Sequence, residues 1–350
     1  MTVLAPPHTF SFYKRKAVPK ENFCIGKRNL EVTNFRLQML FIVLQSKVIF
    51  MQNSDCLLVK TASEIALKSP FVRRFFTKKL VQSIKFALKR NSIECSGIKK
   101  GGGRLYVFCS NAKKAQSVLG RVSGIHATAI ALHFFPASLE ELQKQAVALA
   151  KKNLRRGNTF ALDIRVFGNN AFKSKDLEIA LGKSVQDAMP GLKVKLKNPE
   201  KEILIEVRKE DFFIYSAEQK GLGGLPLGAE GNLAFFFQGE KGELPAAFLL
   251  MHRGCNVFPV VKKKGGAMER FLRRLVPFND YREFVLTEEK DFPQLVNERN
   301  IQAIATADSK TDEKSLAAYK EFNEKQSMVV LRPLLLYPKE KRKELEKLFH

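Results

Sequence analysis

The stretch that most constrains the fold runs from Gly221 to Gly254, with the sequence GLGGLPLGAEGNLAFFFQGEKGELPAAFLLMHRG. Its glycine-rich start predicts a linker, Leu233–Phe237 a short buried strand, and Pro245–Met251 an apolar helix. A loop between a buried strand and a helix directs backbone N–H groups at one point, where the helix dipole favours an anion. In an α/β domain, this is the place for a phosphate group.

This stretch resembles the tRNA 4-thiouridine sulfurtransferase family, in which a GLGGLPLG-type linker joins a THUMP RNA-binding domain to a PP-loop ATP pyrophosphatase domain. The family's loop has the pattern SGGxDS. Counting back from the turn at Arg253-Gly254 places six other residues there, which we call the degenerate loop: Gln238, Gly239, Glu240, Lys241, Gly242 and Glu243. The glutamates would repel phosphate oxygens. The resemblance therefore implies a PP-loop scaffold with degenerate chemistry, and we assign no catalytic residue.

Two later segments keep the family pattern. IQAIATADS (301–309) resembles a strand-end segment, and SMVVLRPLLLYPKEKRKEL (327–345) resembles a strand followed by a helix, so Asp308 and Arg332 keep their family places. The segment between Val261 and Ile301 is short and lacks the family's cysteine-and-arginine stretch. Bacterial members carry a persulfide-accepting cysteine in a further C-terminal region. We therefore expect neither adenylation nor sulfur delivery by the bacterial route.

Positive charge is concentrated ahead of the linker. Residues 51–227 carry 31 basic and 15 acidic side chains, whereas residues 228–350 carry 21 and 18. A segmental surplus favours a polyanion, here nucleic acid, as the partner of the first part; solvated lysine faces are the alternative explanation. The five cysteines form no C-x-x-C pair and the five histidines show no zinc spacing, so we predict no metal site and a reduced, cytoplasmic setting.

Residues 56–132 have the pattern strand, helix, strand, strand, helix, strand, which is typical of a ferredoxin-like domain. EIALKS (64–69) and the arginine-rich helix Pro70–Arg90 resemble the N-terminal domain of the sulfurtransferases. Lys99, Lys100 and three glycines predict a hairpin. One helix face is predicted to be apolar through Phe71, Phe75, Leu80, Ile84 and Leu88.

Residues 138–220 resemble a THUMP domain. Ser138 is a predicted N-cap with Glu141 three residues later, and Thr159–Phe167 alternates like a strand. The family marks are the arginine on this strand, FKSKDLE before a helix and LKNPE before the next strand. Lys173 and Ser174 precede a helix start, where N–H groups and positive charge suit a phosphate.

We expect basic and polar side chains of these two domains to contact RNA, although a single surface lysine is more often merely solvated. The candidates are Lys68, Arg73, Arg74, Lys78, Lys99, Lys100, Arg104, Arg165, Lys173, Ser174, Lys175, Lys197 and Asn198.

The predicted organisation is an α+β ferredoxin-like domain (56–132) and a THUMP domain (133–220), a linker (221–232), and a reduced α/β, Rossmann-like PP-loop domain (233–350). Such a chain would be a tRNA-binding protein related to 4-thiouridine synthesis, without its own ATP-dependent adenylation. Two alternatives stay open: an active sulfurtransferase using ATP and Mg²⁺, and a non-catalytic partner of a second sulfurtransferase subunit.

Residues 1–55 are predicted to be a leader outside the fold, because Met51 directly precedes the first family-like strand. The apolar run Leu37–Phe50 is interrupted by polar residues and is too short for a membrane span. It also lies too far from the N-terminus for a signal peptide. Deleting residues 1–50 should leave the melting temperature nearly unchanged, since unpacked termini add little stability. A large drop in a thermal melt would contradict this expectation.

Overall fold

The computed structural model describes residues 54–135, 138–168, 170–209 and 211–349. The predicted leader therefore lies outside the described residues, apart from its last two. The described residues form one large mixed sheet and one five-stranded sheet. The predicted fold class is confirmed: two α+β units precede an α/β unit with a parallel sheet.

The ferredoxin-like unit follows the predicted order of elements. They are β1 (Ser54–Thr61), α1 (Ser63–Ala66), α2 (Pro70–Arg90), β2 (Cys95–Gly101), β3 (Arg104–Cys109), α3 (Ala112–Leu119) and β4 (Ile125–Phe134). The predicted hairpin turns at Gly102 and Gly103, whose φ values are +48° and +77°. Two consecutive left-handed residues suit glycine and match the twist of paired antiparallel strands.

The apolar face of α2 was predicted correctly from Leu80 onward and wrongly in its first turns. Leu80, Ile84 and Leu88 are buried together with Phe76, whereas Phe71 and Phe75 are 76% and 44% exposed. Phe76 lies four residues before Leu80 and therefore on the same helix face, which Phe75 does not.

The THUMP unit also follows the predicted pattern. Its elements are α4 (Leu139–Asn153), β5 (Thr159–Phe167), α5 (Ser174–Ala188), β6 (Lys193–Val194), β7 (Lys201–Arg208), β8 (Asp211–Tyr215) and β9 (Gln219–Gly223). Ser138 caps α4 as predicted, because its Oγ accepts the Glu141 N–H at 3.1 Å. Such a cap satisfies one of the free N–H groups of the first turn.

The two units share one sheet. Its order is β2-β3-β1-β4-β8-β7-β5-β6, with β9 also paired to β4. The junction is the antiparallel pair β4–β8, with Leu132 opposite Ile214 and Phe134 opposite Phe212. Across it, the rings of Tyr106 and Phe213 stack with centroids 4.0 Å apart.

The third unit is a parallel sheet between helices. Its elements are β10 (Asn232–Phe237), α6 (Glu243–His252), β11 (Asn256–Val261), α7 (Gly266–Arg273), β12 (Thr287–Glu288), α8 (Phe292–Arg299), β13 (Ala303–Ala305), α9 (Glu313–Glu324), β14 (Val329–Leu331) and α10 (Lys339–Glu346). The strand order is β12-β11-β10-β13-β14, and all pairs are parallel. β11 and β12 lie on one side of β10, whereas β13 and β14 lie on the other, so β10 is the topological switch point. In open α/β sheets, ligands bind outside the carboxyl ends of strands at such a point.

The third unit docks on the ferredoxin-like unit through the linker and one turn. The Leu225 N–H donates to the His252 carbonyl at 2.9 Å, while the Leu225 side chain packs in the ferredoxin-like core. The Tyr281 hydroxyl donates to the Val118 carbonyl at 3.2 Å. Asp280 is 2% exposed beside this contact, and burial raises the pKa of its carboxyl group. Within the described ranges, we find no helix with the length and apolarity needed to cross a bilayer.

Candidate nucleic-acid interface and degenerate loop

The exposed side of α2 carries the first group of predicted RNA contacts. Arg73, Arg74 and Lys78 are all exposed. Arg74 and Lys78 are four residues apart and therefore lie on one helix face. The Arg73 guanidinium makes a long hydrogen bond of 3.4 Å to the Ala66 carbonyl, and this bond directs the side chain toward α1. These three cations are free to meet a phosphate backbone.

A basic groove lies between α2 and the edge strand β2. It encloses about 770 Å³, and three lysines of its lining are Lys85, Lys89 and Lys100. Lys100 is a predicted contact, whereas Lys85 and Lys89 were not among the candidates. Their four-residue spacing on α2 was the signal that could have identified them. The groove adds a second positive feature to the same side of the ferredoxin-like unit.

Three predicted contacts are held by carboxylates of the protein itself. The Lys99 Nζ lies 2.8 Å from Asp211, and the Arg165 Nη2 lies 2.6 Å from Asp163. Arg104 forms an ion pair with Glu206. Arg165 and Lys99 remain partly exposed, but the Arg104 side chain is 13% exposed, so its position points to a structural role.

Glu206 is the centre of a buried polar cluster. It is fully buried on β7 and accepts hydrogen bonds from the hydroxyls of Tyr106 and Tyr215, the second at 3.2 Å. Arg208 donates to the Tyr106 hydroxyl and lies 3.5 Å from Glu206. Burial, followed by the Glu206 charge, raises the pKa of both tyrosines far above the usual value. The tyrosines therefore stay neutral donors to the carboxylate.

Asp211 belongs to a second interdomain ion cluster. His133 is fully buried on β4, and its Nε2 lies 2.6 Å from the Asp211 carboxylate. Burial alone would raise the pKa of Asp211, but hydrogen bonds from His133 and Lys99 outweigh it and lower the pKa. The carboxylate therefore stays charged and links strands from both units.

Lys173 lies directly before α5, as the sequence predicted, whereas Ser174 is the first residue of that helix. Lys173 occupies the N-cap position with an extended backbone, without a side-chain cap bond, and both Lys173 and Lys175 are exposed. Lys197 and Asn198 lie in an exposed turn before β7, where Asn198 adopts a φ of +51°. Asparagine tolerates this left-handed conformation better than most residues.

The degenerate loop is closed by one of its own side chains. Glu243 is the first residue of α6 and is 3% exposed. Its carboxylate accepts the Gln238 N–H at 2.7 Å and the Gly239 N–H at 3.0 Å. Burial raises the pKa of Glu243 above its usual value, although the loop N–H groups act in the opposite direction. The N–H groups that a nucleotide phosphate would need are therefore bonded to an internal carboxyl group.

An ion pair and a small cavity lie beside the degenerate loop. Lys241, the remaining cation of the loop, lies 3.2 Å from Glu346 at the end of α10. The cavity that Lys241 and Glu346 line with Pro245 holds about 20 Å³.

The two residues with family places in the last strands form a local ion pair. The Arg332 Nε donates to the Asp308 carboxylate at 2.7 Å, and the Thr306 hydroxyl donates to it at 2.8 Å. The Arg332 guanidinium also lies over the Tyr319 ring, 4.7 Å from its centroid. Asp308 and Arg332 thus fix the ends of β13 and β14 to α9.

Lys68 stands apart from the other candidates. It lines a cavity of about 720 Å³ where α1 and the linker meet the third unit, near Leu225 and Arg253. Among the described residues, no group of three or more His, Cys, Asp or Glu side chains is arranged to hold a metal ion.

Family models match the first two units. The ThiI ferredoxin-like domain matches residues 56–129, and the THUMP domain matches residues 136–217. The probable tRNA sulfurtransferase of Methanosarcina mazei is 33% identical over 201 residues, which are 56% of this chain and 49% of that protein. The tRNA sulfurtransferase of Blochmanniella pennsylvanica is 30% identical over 61% of this chain and 44% of its own length. This chain spans about half the length of these curated relatives.

Two solved structures share the fold across most of the chain. PH1313 from Pyrococcus horikoshii has a TM-score of 0.74 and 25% identity, covering 84% of this chain and 98% of its own. A 4-thiouridine synthetase solved as an RNA complex with bound ATP has a TM-score of 0.69 and 19% identity, covering 84% and 85%. At that identity the second likeness concerns the fold alone.

The fold and these matches define a THUMP-domain protein with a ThiI-type ferredoxin-like domain. More particularly, its first two units match the ThiI ferredoxin-like and THUMP domains, its curated relatives are named tRNA sulfurtransferase, and its parallel α/β unit shares the fold of the 4-thiouridine synthetase structure, so the predicted resemblance is confirmed.

Proposed function

We propose that this chain is a cytoplasmic tRNA-binding protein related to 4-thiouridine synthesis, and that its α/β unit no longer adenylates RNA. The observation that carries the proposal is a contrast between the two parts of the chain. The first two units match the ThiI ferredoxin-like and THUMP domains, whereas in the third the Glu243 carboxylate accepts the N–H groups of Gln238 and Gly239 in the degenerate loop.

RNA binding is the function that the first two units support best. A-form RNA helices are recognised mainly by shape and by phosphate and 2′-hydroxyl contacts, which basic side chains on rigid elements provide. The exposed cations of this kind lie on α2, in the basic groove and at the start of α5. They are Arg74, Lys78, Lys85, Lys89, Lys100, Lys173 and Lys175. Arg104 forms an ion pair with buried Glu206, so we assign it a structural role in the shared sheet and not a contact with RNA.

The chemistry of the degenerate loop supports the proposed loss of adenylation. An ATP phosphate carries negative charge and needs the loop N–H groups as donors. Glu243 already accepts two of them, and its carboxylate would lie against the incoming phosphate. Like charges at close range in a poorly solvated site weaken binding. The chain would thus hold tRNA without activating its uridine.

We expect no release of pyrophosphate when the purified protein is incubated with tRNA and ATP. We also expect no ATP binding at about 1 mM, the upper end of ordinary substrate KM values. The measurements are a pyrophosphate assay, calorimetric titration with ATP–Mg²⁺, and mass spectrometry of the nucleosides for 4-thiouridine. An active tRNA sulfurtransferase is the positive control. Turnover by protein from a host that cannot make 4-thiouridine would contradict the proposal and favour the active-enzyme alternative.

A further inference from the structure

Residues 262–274, KKKGGAMERFLRR, form a concentrated positive feature of the third unit, which we call the basic segment. It contains six basic residues and one acidic residue. Residues 228–350 carry 21 basic and 18 acidic residues, so the remainder carries 15 and 17. The positive surplus of this part of the chain is therefore due entirely to these 13 residues. Such clustering, unlike a uniform lysine surface, is the electrostatic sign of a polyanion contact.

The basic segment leaves the parallel sheet beside the degenerate loop. Val261, at the end of β11, is the register partner of Phe237, at the end of β10. Because the strands are parallel, Lys262 and Gln238 emerge at the same edge. On α7, the Met268 methyl group faces the loop, 3.9 Å from the position that a Cβ on Gly239 would take. The segment thus borders the carboxyl edge where an α/β unit places its ligand.

The packing of α7 leaves most of these cations on the surface. Phe271 and Leu272 pack into the core of the unit, and Arg274, although exposed, makes hydrogen bonds of 3.4 Å to the Phe271 carbonyl and 3.5 Å to the Phe349 carbonyl. Five others are exposed, and these are Lys262, Lys263, Lys264, Arg270 and Arg273.

Nearby carboxylates offset little of this charge. Glu288 accepts the Lys264 backbone N–H at 3.2 Å but pairs with the side chain of Lys290 at 3.0 Å. Glu269 and Glu283 line a cavity with Arg273 of about 410 Å³ without an ion pair to it. In the part of the chain that the structure describes, none of the five exposed cations has a carboxylate oxygen within 4.0 Å. They keep their full charge for an external partner.

We propose that the basic segment is a second RNA contact, which binds the phosphate backbone of the same RNA that the first two units hold. This inference rests on the proposed tRNA binding and extends it to the third unit. An RNA backbone fits better than a single small anion, because three consecutive lysines before α7 and two arginines on α7 spread the positive charge along the segment. Because Glu243 closes the adjacent degenerate loop, this edge of the sheet would contact an RNA backbone instead of holding a nucleotide.

The test uses the full-length protein with Lys262, Lys263 and Lys264 all changed to Glu. The matched control changes Lys314, Lys320 and Lys339 to Glu, three exposed lysines of the same unit. Binding to tRNA is measured by fluorescence anisotropy from about 0.05 to 0.3 M salt, a range in which the Debye length is on the order of 10 Å. Thermal melts verify that both variants are folded. We expect the first variant to bind about tenfold more weakly at 0.15 M salt, with a salt slope shallower by about 2.

The outcomes separate this inference from the proposed function. If the unaltered protein does not bind tRNA at low salt, the proposed function fails. If the unaltered protein binds and the variant matches it in affinity and slope, only the second contact fails. An equal loss of tRNA affinity in the control variant would show that only the net charge of the protein matters, and this would also overturn the inference. A variant that keeps tRNA binding but loses binding to phosphatidylserine vesicles would assign the segment to a membrane surface.

Discussion

Changing Glu206 to Gln is expected to lower the free energy of unfolding by about 3–5 kcal/mol, the usual cost of leaving a buried charge without its partner. The glutamine has the same shape but no charge, so the guanidinium groups of Arg104 and Arg208 lose their shared carboxylate. Both are largely buried, and Arg208 is also confined over the Phe167 ring, 3.6 Å from its centroid. Urea unfolding followed by circular dichroism gives the difference directly.

The control for this variant is Glu202 to Gln, on the same strand but exposed. Surface substitutions of this kind usually change stability by less than about 0.5 kcal/mol. If the Glu206 and Glu202 variants unfold at the same urea concentration, the cluster does not hold the two units together as the geometry indicates. A large loss of stability in the Glu206 variant alone would support a structural role for Arg104 and remove Arg104 from the RNA contacts.

Changing Arg73, Arg74, Lys78 and Lys173 to Glu should weaken tRNA binding by about 100-fold or more at 0.15 M salt. Each phosphate contact contributes through counterion release, and four reversals replace attraction by repulsion at several phosphates. The affinity of the unaltered protein should fall steeply with salt, whereas that of the variant should depend on salt much less. The measurement is the same anisotropy titration with the full-length protein.

Four exposed lysines outside the first two units provide the matched control: Lys314, Lys320, Lys339 and Lys343, all changed to Glu. This variant has the same change in net charge, so a much smaller loss of affinity is expected for it. Salt-insensitive binding by the unaltered protein would contradict a phosphate-based contact. Equal losses in both variants would show that the candidate positions on α2 and α5 are not special.

The sequence was most informative where local chemistry determines the backbone. The glycines after Lys100 predicted the hairpin because a left-handed turn excludes most other residues, and Ser138 predicted the start of α4 because its hydroxyl caps the first turn. The order of elements in both α+β units followed from apolar alternation and helical spacing. These signals act over a few residues and are independent of the rest of the fold.

The role of a charged side chain could not be predicted in the same way. Arg104 and Lys100 are both basic residues of one hairpin, but Arg104 meets a carboxylate 102 positions later, whereas Lys100 lines an open groove. Which of them stays available depends on the pairing of β4 with β8, a contact that no local pattern contains. Glu243 illustrates the same limit: its type predicted repulsion of phosphate, but only the fold shows its carboxylate bonded to the loop N–H groups.

The pairing of β4 with β8 also affects which RNA shapes the two units could bind together. Hydrogen-bonded strands, rather than a tether, join the unit that carries α2 to the unit that carries α5. The proposed phosphate contacts on α2 and α5 are therefore held at a fixed separation before any RNA binds. Binding then loses little conformational entropy in ordering two modules, and an RNA whose backbone has a different spacing forfeits one contact entirely. The shared sheet would thus fix the distance between the two contacts and select RNA by helix length and shape instead of by base sequence.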